Sequence, residues 1–239
     1  MNTKLQRLLP TLASIAVGII PVSILIYYFG VSRKLIIGWG VLSYVLGVAG
    51  FKMPLYHFFV VKVLHGRLSN TWLSASHGLV SAISELGAAL LFFIFVVPKL
   101  TLVQLIGFGI AAGAVEAIVL PFIQNPLKGT PLEEHSSEVI QRSSTSSLTP
   151  WMSVLERVMA LCPHVAARGL VYISFISGNT VPAVLAVLTF ASIDGRAYFA
   201  LLEKWPFDDI RVLLKIYRYI ALAAVAQTVL FVCFYYYLM

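Results

Sequence analysis

The chain has 239 residues, of which 59% are hydrophobic and only 11% are charged, and its formal net charge is +7. A soluble protein of this size could not cover its surface with so few charged side chains, so most of the chain is predicted to lie in lipid. The basic excess does not indicate a nucleic-acid partner, because the basic residues cluster at the ends of apolar segments, as topology signals do.

The apolar segments predict helices rather than strands. Each is about 20 residues or longer, the length that an α-helix needs to cross a membrane, and none shows the alternation of a lipid-facing β-strand. In lipid every backbone N–H and C=O must be paired within the protein, which leaves helices as the spanning element. We therefore predict an all-α polytopic helix bundle that forms a single membrane domain over residues 1–239.

Seven transmembrane helices are predicted. The first follows Lys4 and Arg7 and resembles a signal peptide, but its apolar run is too long for one, so we expect it to be retained. In the sixth, Asp194, Gly195 and Arg196 interrupt the apolar pattern, and one interpretation is a broken helix that Asp194 caps. The predicted spans are Leu8–Gly30, Leu35–Val61, Thr71–Pro98, Leu100–Gln124, Trp151–Gly178, Thr180–Glu203 and Ile210–Met239.

The distribution of Lys and Arg predicts the orientation. Residues 125–150 form the long polar stretch of the chain and are expected to be a cytoplasmic loop. If the N-terminus is cytoplasmic, most basic residues of the chain lie on the inner side of the cell membrane and few lie outside, as the positive-inside rule requires. The ten inner ones are Lys4, Arg7, Lys62, Arg67, Lys128, Arg142, Lys204, Arg211, Lys215 and Arg218, and the three outer ones are Arg33, Lys34 and Lys99.

Five titratable side chains lie inside the predicted spans: Glu85, Glu116, Glu156, His164 and Asp194. An ionisable group in hydrocarbon costs a few kcal/mol or more, so such groups usually face a polar interior and indicate a functional site. Under the predicted topology, most of them could meet in the middle-to-cytoplasmic half of one bundle. Four carboxylates and a histidine at similar depth are typical of acid–base or metal chemistry.

The fifth span carries a polar stripe. His164 and Arg168 follow Arg157 by seven and eleven residues, and at about 100° per residue the three fall on one helix face. Glu156 lies about 80° round from His164, close enough to line the same cavity. A polar stripe on a membrane helix normally faces the bundle interior.

Each of these residues also has a structural interpretation. Glu156 and Arg157 lie near an interface and could reach it by snorkelling. Glu85 could be a protonated donor that locks two helices, and His164 could donate to a carbonyl freed by the proline before it. Because five such groups occur in one small bundle, a structural role for all five is less favoured than a structural role for any one of them.

Two further features are interpreted as structural. Gly109 and Gly113 form a G-x-x-x-G pair in the fourth span, which predicts close packing against a neighbouring helix. This packing would also bring Glu116 near that neighbour. His57 and His77 fall nearer the inner ends of their spans and are predicted to be interfacial.

The polar residues lie in segments that resemble the YhfC family of intramembrane metalloproteases, which is similar in turn to the CAAX-prenyl proteases and PrsW. The resemblance runs from the second span onward. Glu156, Arg157, Ala160 and His164 match the family's Glu-Arg-x-x-Ala-x-x-x-His pattern. Four weaker matches lie at residues 47–55, 84–88, 109–118 and 186–194.

The chain departs from the family's pattern at four positions. Ser84 and Ala88 stand where the family has the first Glu and the Arg of its Glu-Glu-x-x-Arg motif. Ala112 and Phe190 stand where it has histidines in the fourth and sixth helices. The resemblance therefore implies the fold more strongly than the activity.

The resemblance implies hydrolysis of a membrane peptide, or of a lipid-modified one, with reduced or lost catalysis. Glu85 or Glu116 would activate a water, and His164 would stabilise the oxyanion or hold a divalent metal such as zinc with a carboxylate. One histidine with carboxylates is a poor zinc set. The implied catalytic residues are Glu85, Glu116, Glu156 and His164, and the supporting ones are Arg157 and Asp194.

Two other functions stay open at this point. A non-enzymatic relative could hold a peptide or lipid in the same cavity, which the missing histidines and arginine favour. A small proton-coupled transporter could use the carboxylates as a relay, although the chain shows no internal repeat. Membrane lipids are expected partners in every case.

Overall fold

The computed structural model describes residues 3–29, 34–122, 133, 137 and 149–239, and in these residues the chain is all-α, with no strand. Seven of its helices are long and apolar enough to cross a membrane. The predicted fold class is confirmed. Of the predicted polar loop 125–150, only residues 133, 137, 149 and 150 fall among the described residues.

The seven helices alternate in direction, because short connections join most neighbours. We call the end of the bundle with connections 65–69 and 203–209 the basal end, and the end with connections 96–101 and 178–180 the far end. Under the predicted topology the basal end is cytoplasmic. The helices are α1 (Thr3–Phe29), α2 (Lys34–Leu64), α3 (Asn70–Phe95), α4 (Leu102–Val119, then a 3₁₀ turn Leu120–Phe122), α5 (Thr149–Ser177), α6 (Val181–Leu202) and α7 (Ile210–Leu238).

The second helix departs from regular α geometry around Pro54. Two π-helical segments, Leu46–Lys52 and Tyr56–Leu64, flank one α turn at Met53–Leu55. Proline has no N–H to donate to the preceding turn, so the helix passes this residue with widened turns. The first π segment ends at Lys52, which extends into the bundle interior.

The sixth helix is continuous through Asp194, Gly195 and Arg196, so the broken-helix interpretation and the cap at Asp194 are wrong. The polar residues point sideways to partners instead of ending the helix. Asp194 bonds to Lys52 and Ser81, and a Cβ at Gly195 would lie 3.0 Å from the Ser74 carbonyl oxygen on α3.

Glycine crossings lie about one helical turn from the polar contacts. The close packing predicted for Gly109 and Gly113 is confirmed: a Cβ at Gly109 would lie 2.5 Å from Val165 Cα, and one at Gly113 would lie 3.1 Å from His164 Cδ2. A Cβ at Gly47 would lie 2.9 Å from Glu85 Cα. These crossings bring α2 close to α3, and α4 close to α5, so that short polar side chains can meet across them.

Aromatic and aliphatic side chains fill the far half of the bundle. Phe93 on α3 is fully buried, with its ring centroid 5.0 Å from that of Phe108 and 5.2 Å from that of Tyr172. The Tyr172 hydroxyl accepts a bond from the Leu100 N–H at 2.6 Å, which ties α5 to the α3–α4 connection. α5 is the central helix, since it packs against α1, α3, α4, α6 and α7.

Candidate functional site

Polar side chains from five helices form one continuous network in the bundle interior. Every member contacts at least one other member through a hydrogen bond or an ion pair. The members are Lys52 on α2, Ser81 and Glu85 on α3, Glu116 on α4, Glu156, Arg157, His164 and Arg168 on α5, and Asp194 on α6.

Arg168 joins the two sides of this network. Its side chain is fully buried, with Nη1 at 2.8 Å from His164 Nδ1 and Nη2 donating to Glu85 Oε2 at 3.4 Å. Nη1 also lies 3.4 Å from the carbonyl oxygen of His164. A planar guanidinium can serve several acceptors at once, which a lysine ammonium at this position could not do in the same geometry.

One limb of the network, the Lys52 limb, runs through Lys52, Glu85, Ser81 and Asp194. Lys52 Nζ donates to Glu85 Oε1 at 3.1 Å and to Asp194 Oδ2 at 3.2 Å. Ser81 donates to the same Asp194 oxygen and lies 3.4 Å from Glu85 Oε1. The lysine thus bridges α3 and α6 from its place on α2.

The other limb, the Glu116 limb, runs through Glu116, Arg157, Glu156 and His164. His164 Nε2 lies 2.8 Å from Glu116 Oε2, and Arg157 pairs with Glu116 Oε1. Arg157 also donates to Glu156 Oε1 at 2.5 Å. Both oxygens of Glu116 therefore face groups on α5.

The contacts of His164 determine which ring nitrogen carries its proton. Arg168 has no acceptor atom, so Nδ1 accepts the bond between them. The proton of the neutral ring then sits on Nε2, which donates to Glu116. The rings of Tyr44 and Phe190 lie edge-on at 5.9 Å and 5.6 Å and limit the rotation of the imidazole.

The network is closed at its centre and opens at the ends of its limbs. The side chains of Arg168, Glu85 and His164 are 0%, 3% and 3% exposed, whereas those of Asp194 and Glu156 are 27% and 33% exposed. At a rise of about 1.5 Å per residue, Glu156 lies about 10 Å and Arg168 about 28 Å from the basal end of α5. Asp194 lies about 12 Å from the basal end of α6. Both limbs therefore extend from mid-bundle toward the basal end.

The network carries more carboxylates than cations. Glu85 and Asp194 on the Lys52 limb are matched by Lys52 and Arg168, whereas Arg157 alone faces both Glu116 and Glu156 on the Glu116 limb. His164 in the tautomer above is neutral, so the Glu116 limb has one surplus carboxylate. Glu156 is the most exposed of the four carboxylates, so solvent screens its pairing with Arg157 the most.

The structure brings all six sequence-predicted site residues into this one network. Glu116 and His164 are in direct contact, and Arg157 and Glu156 adjoin them. Glu85 is linked to them through Arg168, and Asp194 is linked through Lys52 and Glu85. The snorkelling interpretation of Arg157 is wrong, since its side chain is 10% exposed and turns inward to Glu116.

His77, which the sequence places near the inner end of its span, packs among aromatic side chains of α2 and α6. Its ring stacks on Tyr198 at 4.2 Å and meets Tyr56 edge-on at 5.0 Å. Its Nδ1 is buried without a hydrogen-bond partner among the described residues. Tyr56 and Tyr198 are joined by their hydroxyls at 3.1 Å, so His77, Tyr56 and Tyr198 form one aromatic group between α2, α3 and α6.

Three network members were not among the predicted site residues. A lysine in the middle of an apolar span was the available signal for Lys52. Arg168 had been placed on the polar stripe of α5, four residues from His164, the spacing of contacting side chains on a helix. Ser81 precedes Glu85 by four residues, but a serine in a membrane helix is too common to single out.

The residues present do not fit a zinc site. Among the described residues there is no group of three or more His, Cys, Asp or Glu side chains placed to hold a metal ion. Glu116 is engaged by Arg157 and His164, and His164 Nδ1 accepts from Arg168. Zinc needs free histidine, cysteine or carboxylate donors converging on one point, and these donors are turned toward guanidinium groups instead.

Comparison of the chain with family models, with curated proteins and with solved structures finds no match.

Proposed function

We propose that the chain is an integral membrane hydrolase of the YhfC type that cuts membrane peptides slowly, with Glu116 as general base and His164 as oxyanion donor. The observation that carries the proposal is the 2.8 Å contact between Glu116 Oε2 and His164 Nε2 inside the bundle. A base and an oxyanion donor must lie within hydrogen-bond or one-water reach of one reacting centre, and the direct contact of Glu116 with His164 supports their acting on the same one.

The tautomer of His164 assigns the steps. A water beside Glu116 gives up a proton to the carboxylate as its oxygen attacks the peptide carbonyl carbon. In the resting structure His164 Nε2–H donates to Glu116; when Glu116 takes up the proton, this N–H is released and donates to the oxyanion that forms on the carbonyl oxygen. The C–N bond then breaks and Glu116 returns the proton to the leaving amine, so that the products are a carboxyl group and an amine.

Glu116 is favoured over Glu85 as the base. Glu85 is 3% exposed and held by Lys52 and Arg168, whereas Glu116 is 21% exposed and contacts His164 directly. Glu85 is therefore a positioning residue, which holds Arg168 in place behind the imidazole. Arg168 in turn acts on the reaction through His164, by keeping the proton on Nε2.

Slow turnover is expected because donors are missing. Alanine or phenylalanine stands at Ala88, Ala112 and Phe190, where the resembled family has an arginine and two histidines. Removal of one transition-state donor costs ~10² to 10³ in rate, and groups that act together are not additive. The substrate would reach the network from the partly exposed basal ends of the limbs.

The test is cleavage of membrane peptides by the purified full-length chain in lipid vesicles. We expect slow cleavage that Glu116→Gln and His164→Gln each abolish and that Glu203→Gln retains; the last is a matched carboxylate-to-amide control outside the network, where Glu203 accepts from Asn70. Zinc content by elemental analysis is expected to be below stoichiometric. Cleavage that survives Glu116→Gln, or that follows bound zinc and is lost with a chelator, contradicts the proposal.

A second candidate is a non-enzymatic relative that binds a membrane peptide or lipid without cutting it. The observation in its favour is that both oxygens of Glu116 and both oxygens of Glu85 already contact neighbouring polar side chains. This candidate predicts peptide binding with no cleavage products, and equal binding by the wild type and Glu116→Gln. Cleavage that depends on Glu116 excludes it.

A further inference from the structure

A cation–aromatic cluster lies at the basal corner of α6 and α7, outside the polar network. The Arg196 guanidinium carbon is 4.8 Å from the ring centroid of Trp205, 5.6 Å from that of Phe199 and 5.9 Å from that of Tyr219. The Lys215 ammonium is 4.9 Å from the same Trp205 ring. Trp205 therefore holds two cations from two different helices.

Neither cation has a carboxylate partner in the part of the chain that the structure describes. Glu203, Asp208 and Asp209 lie in the same α6–α7 connection. Glu203 accepts from Asn70, and Asp209 caps α7 by accepting from the Arg211 N–H. Among the described residues no ion pair joins Asp208, Glu203 or Asp209 to Arg196 or Lys215.

The depth of Arg196 makes the missing partner informative. It lies six residues before the end of α6, about 9 Å from the basal end at 1.5 Å per residue. An arginine inside a span normally pairs with an anion or reaches the headgroup layer. Its guanidinium carbon lies within 6 Å of three ring centroids, and its N–H groups have no hydrogen-bond acceptor among the described residues, so they are available to an anion.

We propose that Arg196, Lys215 and Trp205 form a binding site for the phosphate of an anionic lipid headgroup. The guanidinium supplies a fork of donors that matches phosphate oxygens, and the ammonium adds a second charge. The position at the basal corner of two membrane helices is where a lipid phosphate lies, and tryptophan is the residue that anchors at this level. A phosphate there ties α6 to α7 on the face of α6 that carries Arg196, about 200° round the helix from Asp194.

The test uses the full-length protein in vesicles of phosphatidylcholine, with and without added phosphatidylglycerol. Retained phosphatidylglycerol is measured by native mass spectrometry, and its affinity by titration. We expect the Arg196→Gln, Lys215→Gln double variant to bind this lipid roughly 25-fold more weakly, at about fivefold per cation removed. The matched control Lys62→Gln, Arg67→Gln removes two charges from the α2–α3 corner of the same end and should retain wild-type affinity.

Two further experiments distinguish a specific lipid site from attraction by net charge and from a site for free inorganic phosphate. Trp205→Leu keeps both cations but removes the ring that holds them together, so its affinity should fall below that of the control variant. Inorganic phosphate at matched ionic strength should not displace the lipid more than chloride does. Equal weakening in the two double variants, unchanged binding in Trp205→Leu, or specific displacement by inorganic phosphate would each overturn the lipid assignment.

Discussion

The far half and the basal half of this bundle are held together by different interactions. In the far half, Phe93, Phe108 and Tyr172 interlock through ring contacts, and the described core cluster around them contains no charged residue. From the middle of the bundle toward its basal end, the helices meet through ion pairs and hydrogen bonds, and Arg168 joins the two limbs at mid-bundle. The apolar half can hold the helices in register without charge, so the buried charges, which are costly in a membrane span, are the candidates for function.

The largest effect is expected for Arg168→Leu. It removes the guanidinium from Glu85 and the donor from His164 Nδ1, which leaves polar groups unpaired in a closed interior. The free energy of unfolding in detergent should fall by about 3 to 5 kcal/mol.

The double variant Arg168→Leu, Glu85→Leu is the control for this loss. It removes both charges and leaves Lys52 paired with Asp194. Its loss in the free energy of unfolding should be smaller than the sum of the losses in Arg168→Leu and Glu85→Leu, because replacing both partners by apolar groups leaves no unpaired charge. Additive losses would show that Glu85 and Arg168 do not act as a pair.

In the apolar half, Phe93→Ala is the comparable change. The side chain is fully buried against Phe108 and Tyr172, so its removal leaves a cavity and should cost about 3 kcal/mol. Thermal unfolding measures this loss. Peptide cleavage per folded molecule should be unchanged, because the rings that Phe93 packs against, Phe108 and Tyr172, are not members of the polar network. Loss of cleavage in the folded variant would contradict the division into two halves.

A substitution at the α4–α5 crossing should lower stability less than the changes above, but it should also separate Glu116 from His164. A Cβ at Gly113 would lie 2.9 Å from Leu161 Cδ2 and 3.1 Å from His164 Cδ2, so Gly113→Val should push the helices apart. We expect a loss of about 2 kcal/mol in stability and a larger loss in cleavage, since Glu116 would no longer reach His164. Gly38→Val is the control, because no atom lies within 4 Å of a Cβ at Gly38.

The smallest effect is expected for Glu156→Gln. This residue is the surplus carboxylate of the Glu116 limb and its side chain is 33% exposed, so solvent screens its pairing with Arg157. Stability should change by about 0.5 kcal/mol or less. A loss comparable to that of Arg168→Leu would show that Glu156 is an essential member of the buried network.

The sequence allowed the fold class to be predicted because lipid permits few alternatives. Seven apolar segments require seven helices, and the structure has them. It also led to the six ionisable site residues, since charge in an apolar span is conspicuous. The sequence did not show which side chains pair with each other. The contact of Arg168 with His164 depends on how α3, α4 and α5 cross. These crossings are set by glycines whose neighbours are distant in sequence.

The error at Asp194 has the same origin. The local pattern Asp194-Gly195-Arg196 is typical of a helix end, and a single sequence does not show that Lys52 on α2 and Ser81 on α3 lie opposite it. Tertiary partners allowed the helix to continue where local propensity would have stopped it. For the same reason no local pattern indicates Tyr44, whose ring packs against His164.

Arg168 links the two limbs through His164, and the protonation state of the two imidazole nitrogens tests this link. Solid-state ¹⁵N NMR of histidine-labelled protein in lipid, with the His164→Gln spectrum used to assign the signal, reports the state of each ring nitrogen. The predicted result at neutral pH is a neutral ring with an unprotonated Nδ1 and a protonated Nε2, and a changed Nδ1 signal in Arg168→Leu. A proton on Nδ1, or a signal that Arg168→Leu leaves unchanged, would contradict the account.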